Sequence, residues 1–301
     1  MSAQNTLVTI ILACYNQEKF VADAVRGVLS QTYSPIEAII FDDCSSDRTA
    51  DMIEQTIARH AHDHDVRLVR NPSNMSGYAI SESGLRIASG DFIFISHGDD
   101  VMLPSMVEEM VAARRSEQLS LVTANALYID EHSQSLDRTF RDPDAPADDS
   151  FETLARDGSN ACCFGPAIGF DREIYEKFGW VPRYLGAYDI IYPFYAYLLN
   201  GARFISKPLL KYRVHGHNTS GSLRAERADL AERSRIEERI YLGHLAHAVL
   251  MDEVLDDLCS KQPERYGLVA DHIKPLLAIQ VVEMTKKLVR VSRQSGTLAS
   301  V

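Results

Sequence analysis

The chain has no long apolar run near its start. Leu7 to Tyr15 is apolar for only nine residues and follows no basic leader, which argues against a signal peptide or a membrane span there. An excess of positive charge is missing too: the formal net charge is −11, which excludes a protein that coats nucleic acid or an anionic membrane with a basic surface. The five cysteines form no CxxC pair and are odd in number, with Cys162 and Cys163 adjacent. That pattern reads as reduced thiols of a cytoplasmic protein. Cys14 and Cys44, at strand ends, are expected to be small buried packing groups. The segment "ACYNQEK" after the first apolar run carries neither G-x-G-x-x-G nor G-x-x-x-x-G-K-[ST], so the dehydrogenase and P-loop readings fall together. No internal repeat is apparent.

What is present is core-forming sequence in an alternating order. Hydrophobic residues make up 46% of the chain, enough for a substantial core. Apolar β-rich runs occur at "LVTIILACY", "AIIFDD", "VRLVR", "FIFIS" and "LVTANALYI", and helical spacing fills most of the gaps. Strands alternating with helices predict an α/β fold, a mainly parallel sheet with helices on both faces. Phe20, Val21, Ala24, Val25, Val28 and Leu29 define the first helix, with Asn16 as a candidate cap. Ser46 or Asp47 can cap a second, and Pro104 is placed to open a third. A further helix is expected from Asp189 to Asn200, closed by Gly201 and bent by Pro193. The stretch from Arg138 to Ser150 reads as loop. From about residue 222 to 301 strand signals cease and a helical appendage is expected, after a main domain of about 1–221.

Carboxylates collect at the ends of the predicted strands. "FDDCSSD" closes the second and "SHGDD" a later one, and ligands of open parallel sheets bind beyond those ends. Asp42 and Asp47 are readily explained as helix caps; Asp99 and Asp100 are not, because "VMLP" delays the next helix. Two adjacent carboxylates cannot grip a phosphate directly. Through Mg²⁺ or Mn²⁺ they can, since a hard cation shares its oxygen ligands between protein and phosphate.

The ordered segments "VTIILACYNQEKFVADAVRGVLSQTYSPIEAIIFDDCSSDRTADMI" and "NPSNMSGYAISESGLRIASGDFIFISHGDD" resemble the nucleotide-binding half of the family 2 glycosyltransferases of GT-A fold. The likeness is close over about residues 1–110 and looser over 111–221, the acceptor half. It implies an inverting, metal-dependent transferase using a nucleoside diphosphate sugar, UDP-linked in the first instance, and a carbohydrate or lipid-linked acceptor in surface polysaccharide or glycolipid synthesis. By motif, Tyr15 would stack on the base, with the backbone near Ala13 and the Asp43 carboxylate also holding it. Asp99 would face the ribose and Asp100 the metal, Mn²⁺ or Mg²⁺. Asp189 would be the catalytic base, or simply a helix cap, and His215 in "YRVHGH" would complete the metal site or touch the diphosphate, with Arg213 and His217 nearby.

The match has departures. His97 stands where an acid is frequent, "SESG" replaces a common Arg-Asn pairing, and Tyr188 replaces the first of an acidic pair. They leave open a non-catalytic protein that keeps the pocket for binding or assembly. Asp171 and Arg172 either face the acceptor or pack around a turn. In the appendage, Leu242, Leu245, Val249, Leu250, Val254, Leu255 and Leu258 imply packing on the body or on another subunit. Lys286, Lys287, Arg290 and Arg293 fit either an anionic membrane surface or the last turns of a helix.

Overall fold

The computed structural model describes residues 6–144, 150–157, 163, 165–181, 185, 188–218 and 228–294. They fall into two compact units that are not consecutive in sequence: residues 1–147, 162–180 and 195–214 form the first, and 148–161, 181–194 and 215–301 the second. The boundary expected near residue 221 and the second half of the 138–150 loop lie outside the described residues. So do Cys162 and the Arg293 side chain.

The first unit is built on one sheet. Strands β1 (Val8–Cys14), β2 (Ile36–Asp42), β3 (Asp65–Arg70) and β4 (Phe92–His97) run parallel in the order β3-β2-β1-β4. All seven residues of β1 and of β2 are buried, so both faces of the sheet are covered there. This is why those strands read as continuous apolar runs instead of alternating ones. Beyond β4 the sheet turns mixed. β8 (Ile168–Asp171) runs antiparallel to β4 and to β6 (Leu121–Ile129), β9 (Ala202–Arg213) parallel to β6, and the short β5 (Val101–Met102) antiparallel to β9. β7 (Ser135–Thr139) forms a hairpin with β6.

Four longer helices belong to this unit: α1 (Val21–Leu29), α2 (Thr49–Arg59), α3 (Gly77–Ile87) and α4 (Met106–Glu117). Their buried faces follow the predicted spacing, for instance Val21, Ala24, Val25 and Val28 on α1. Their starts differ from expectation. Asn16 does not cap α1, which begins five residues later, because its side chain accepts the Ser46 N–H at 2.8 Å instead. Pro104 precedes α4 without opening it, since its carbonyl accepts from Thr32 N–H in a neighbouring loop.

Two close approaches fix the base of the sheet. An added Cβ at Gly90 would lie 2.5 Å from the Thr9 nitrogen and 2.8 Å from the Leu7 oxygen, both backbone. Gly90→Ala is therefore expected to cost about 1–3 kcal/mol, the usual range for forcing extra volume into packed structure, read as a lowered thermal midpoint. Near it, Glu37 accepts from Thr9 Oγ1 at 2.6 Å and from Ser89, and ion-pairs with Arg67. Burial alone would raise its pKa; these hydrogen bonds and the guanidinium outweigh burial and hold it below the ordinary range.

Asp171 and Arg172 have structural duties at the same end. The Asp171 carboxylate accepts from Arg114, and Arg172 (at the start of α6, Arg172–Phe178) donates to the Gly90 and Ala88 carbonyls. Packing, not an acceptor contact, is what both side chains do here.

In the second unit, α8 (Leu230–Lys261) and α9 (Pro263–Gln294) pack along each other, and α5 (Phe151–Asp157) lies against α9. Asp229 caps α8 by accepting the Glu232 N–H, and Pro263 occupies the first turn of α9. The buried residues of α8 include Ser234, Ile236, His244, His247, Ala248, Met251 and Leu255. Of the predicted apolar stripe only Leu255 is fully buried, while Leu242 and Val249 are about half exposed at 49% and 52%. Apolar residues occur around much of this helix, so their spacing does not single out the face that packs. Lys286 pairs with Glu283, and Lys287 sits over the Tyr241 ring. Helix α7 (Tyr188–Tyr197) is shorter than expected; Gly201, at φ 99°, donates to the Ala196 carbonyl and ends the turn that follows it. Among the described residues no helix is long and apolar enough to cross a membrane.

Candidate active site

The register of the parallel strands brings the predicted residues to one edge. Ala13 pairs with Phe41 on one side and His97 on the other, and Cys14 with Asp42, so the segments after β1, β2 and β4 emerge side by side. The Ala13 carbonyl accepts the Gly98 N–H at 2.9 Å and the Cys14 carbonyl accepts that of Asp43, also at 2.9 Å. Tyr15 projects from this edge with 47% of its surface exposed, a large aromatic face open to a ligand.

Asp43 is buried, and both of its oxygens are used. Oδ1 accepts from Asn71 Nδ2 and Met75 N–H, and Oδ2 from Ser76 N–H, each at 2.9 Å. These bonds hold Ser76 at φ 80° and ψ 148°, a conformation that costs a non-glycine residue on the order of 1–3 kcal/mol. In this arrangement the Asp43 carboxylate is the anchor of loop 71–76 over the strand end.

The acidic turn follows β4. Asp99 is partly exposed, and Asp100, 2% exposed, closes the turn with its N–H on the His97 carbonyl. Burial first, and then repulsion from Asp99, push the Asp100 carboxyl well above the ordinary range, against the opposing pull of Arg213. Burial also lowers the His97 imidazole, more than Asp99 raises it, so that ring is neutral at pH 7. The Cys14 thiol is raised well above its usual value by burial, Asp42 and Asp99, which disfavours the reactive thiolate. Cys14 is thus the packing group expected of it. Cys44 is not: it is exposed, in a left-handed turn at φ 60°.

Asp42 does not cap a helix; its Oδ2 accepts the Ser45 N–H at 3.4 Å and its buried Oδ1 has no hydrogen-bond partner among the described residues. Asp47 does serve α2, accepting from the Thr49 N–H at 2.9 Å.

Among the described residues no group of three or more His, Cys, Asp or Glu stands ready to enclose a metal ion. The donor set that exists is a pair of adjacent carboxylates. Magnesium-like cations are commonly bound by one or two carboxylates, with substrate phosphates and water filling the remaining positions. The pair fits a cation that arrives with a phosphate ligand.

Asp189 and His215 belong to the second unit. Asp189 lies in the first turn of α7, one residue inside it, and burial raises its carboxyl above the ordinary range. His215 is buried; its Nδ1 accepts the His217 N–H at 3.2 Å. That bond puts the proton of the neutral ring on Nε2, a donor for an anion; binding a metal through Nε2 would require the proton to move and the bond to be given up.

The profile of Glycosyl transferase family 2 matches residues 9–179, more than half of the chain. The chain belongs to this family. An uncharacterised family glycosyltransferase from Nostoc sp. is 28% identical over 217 residues, covering 70% of this chain and 66% of its own. The glycosyltransferase WfgD of Escherichia coli, named for transfer from UDP-Glc to α-D-GlcNAc-diphosphoundecaprenol, is 28% identical over 127 residues, 42% of this chain and 48% of its own. Over the first several such relatives, the chain spans about half of their length. Among solved structures, TarS of S. aureus in complex with UDP-GlcNAc superposes with a TM-score of 0.57 at 14% identity, covering 96% of this chain and 92% of that one. The Pyrobaculum calidifontis mannosyltransferase PcManGT, in complex with GDP-Man and Mn²⁺, gives 0.55 at 17%, covering 94% and 86%. The fold is GT-A.

Several residues at this edge went unremarked in the family motifs. The segment after β1 is laced to the one after β2: Asn16 N–H donates to Ser45 Oγ, Gln17 N–H to Thr49 Oγ1 at 2.7 Å, and Glu18 N–H to Asp47 Oδ2. The only advance sign of this was the polar makeup of "NQE" and "SSDRT". One cavity of 480 Å³ lies behind α1 and β5, lined by Arg26, Gly27, His60, Met102, Ser133 and Lys211 among others, and none of the predicted site residues line it.

Proposed function

We propose that this chain is an inverting glycosyltransferase that moves a sugar from a nucleoside diphosphate, UDP in the first instance, to an acceptor hydroxyl. The observation that carries the reading is the convergence of Tyr15, Asp43, Asp99 and Asp100 at adjoining carboxyl ends of β1, β2 and β4. Family membership, the UDP-GlcNAc held by TarS and the UDP-Glc in the name of WfgD support it.

In this reading Tyr15 stacks on the base, and Asp43 keeps loop 71–76 and the neighbouring Ala13 backbone shaped around it. Asp99 takes the ribose hydroxyls. Asp100 presents its carboxylate to a divalent cation, which when bound neutralises the charge of the leaving diphosphate. His215 donates from Nε2 to that diphosphate, a role its accepting Nδ1 favours over metal ligation. Asp189 removes the acceptor's proton as the hydroxyl attacks; a raised carboxyl pKa makes it a stronger base once ionised. The lipid-linked acceptor in the name of WfgD supports an acceptor of that class, in surface polysaccharide or glycolipid synthesis, and a chain working at the inner membrane face.

Titration of the purified chain with UDP, with and without Mn²⁺, tests the binding half: each ligand is expected to tighten the other. Release of UDP from UDP-sugars, alone and with undecaprenyl-diphosphate-sugar acceptors, tests turnover. Tyr188 in place of an acid favours a second reading, a pocket that binds and does not turn over; binding without UDP release across donors and acceptors would establish it. No mutual tightening at all would sink both.

A further inference from the structure

Arg213, the last residue of β9, heads the largest side chains that are fully buried, with 1% of its surface exposed. Its Nε donates to the Asp99 carbonyl at 3.0 Å, and its backbone N–H to Asp100 Oδ1, also at 3.0 Å. Nη1 reaches Ser133 Oγ at 2.8 Å and the Asp130 carbonyl at 3.3 Å, while Nη2 pairs with Asp23 Oδ2 at 3.0 Å. The guanidinium also lies over the Phe20 ring, 4.9 Å from its centre. Burying such a group is expensive unless its charge and its donors are met. Among the described residues, three separate segments contribute to meeting them: the entry to α1, the turn between β6 and β7, and the acidic turn itself.

We propose that Arg213 is a positioning residue for the acidic turn, a clamp that sets Asp99 and Asp100 against α1 and the β6–β7 turn. With Oδ1 of Asp100 held by the Arg213 N–H, no hydrogen bond among the described residues engages Oδ2, which is left to face a ligand. A lysine could not substitute, because a single ammonium cannot reach a carbonyl, a hydroxyl and a carboxylate held in a planar fork. The inference rests on the reading of Asp100 as the carboxylate that meets a divalent cation.

The test compares Arg213→Lys with Met110→Ala, a core truncation on α4 outside the site, by thermal melting and by UDP titration with and without Mn²⁺. Arg213→Lys is expected to lower the Mn²⁺ enhancement of UDP binding, read as the ratio of affinities with and without Mn²⁺, by about tenfold or more, as for residues that orient metal ligands. Met110→Ala, at a similar loss of melting temperature, is expected to keep that enhancement intact. Ser133→Ala and Asp23→Ala each remove one partner while leaving the arginine, and are expected to show a smaller loss in the same quantity. They carry the test if Arg213→Lys does not fold. The clamp is overturned if Arg213→Lys retains full Mn²⁺ enhancement, if Met110→Ala loses as much, or, where the lysine variant is unfolded, if both partner variants match wild type. Absence of enhancement in the wild-type protein is a different failure: it removes the proposed function, and the clamp with it.

Discussion

Asp100→Asn is expected to abolish the mutual tightening of UDP and Mn²⁺ while the protein melts no earlier than wild type. The expected loss of UDP affinity in the presence of Mn²⁺ is about 100-fold, or ~2.8 kcal/mol at 1.4 kcal/mol per decade. Asparagine keeps an oxygen for the Arg213 N–H and nearly the same volume, so the packing survives. What it removes is a charge that burial and Asp99 both disfavour. Ionising that carboxyl costs stability as pH rises through its elevated pKa, so the neutral amide is expected to equal or exceed the wild-type melting temperature at pH 7. Calorimetric titration and thermal melting on the same samples separate this from general damage. A variant that binds Mn²⁺ and UDP as tightly as wild type would remove Asp100 from the proposed site.

Asp189→Asn is expected to reduce turnover by about 10²–10⁴-fold, the span typical of a lost general base, with UDP and Mn²⁺ binding unchanged. Because burial raises the Asp189 carboxyl, the wild-type rate should climb with pH through an inflection above the ordinary aspartate range. The sign follows from the role: the base works only when ionised, so activity is lost as pH falls through that raised value. In the variant the acid limb should vanish along with the rate. Steady-state UDP release between about pH 4 and 8, a window bracketing the carboxylate and neutral ranges, reads both. An asparagine variant with wild-type turnover would pass the role of base to another residue.

How far the sequence foretold this structure depended on how local the cause was. β1, β2, β4 and β6 are covered on both faces, and burial on both faces writes itself as an unbroken apolar run. β9 was not anticipated, because Pro208 and the lysines of "ARFISKPLLKYR" break such a run. The sheet accommodates the proline where the β6–β9 register shifts, opposite Asn125, whose amide donates to the Ser206 carbonyl beside it. The gathering of Tyr15, Asp43, Asp99 and Asp100 at one edge of the sheet was legible because each closely follows the end of a parallel strand. Asn16 was misread as a cap, since the residue it accepts from, Ser46, stands in the loop that follows a different strand. Arg213 showed only as one polar residue in a motif. Its ion-pair partner Asp23 is 190 positions away, a distance at which spacing carries no signal.

That distance has a bearing on the order of synthesis. Residues 9–179, the span matched by the family profile, contain every carboxylate of the nucleotide edge but end before β9. β5, which begins directly after Asp100, has β9 as its neighbour in the sheet. A ribosome that has reached residue 179 has therefore delivered the acidic turn without the strand that backs it or the guanidinium that donates to its Asp99 carbonyl. A fragment cut to the profile would inherit the same defect, and expression trials should carry the chain past Val214.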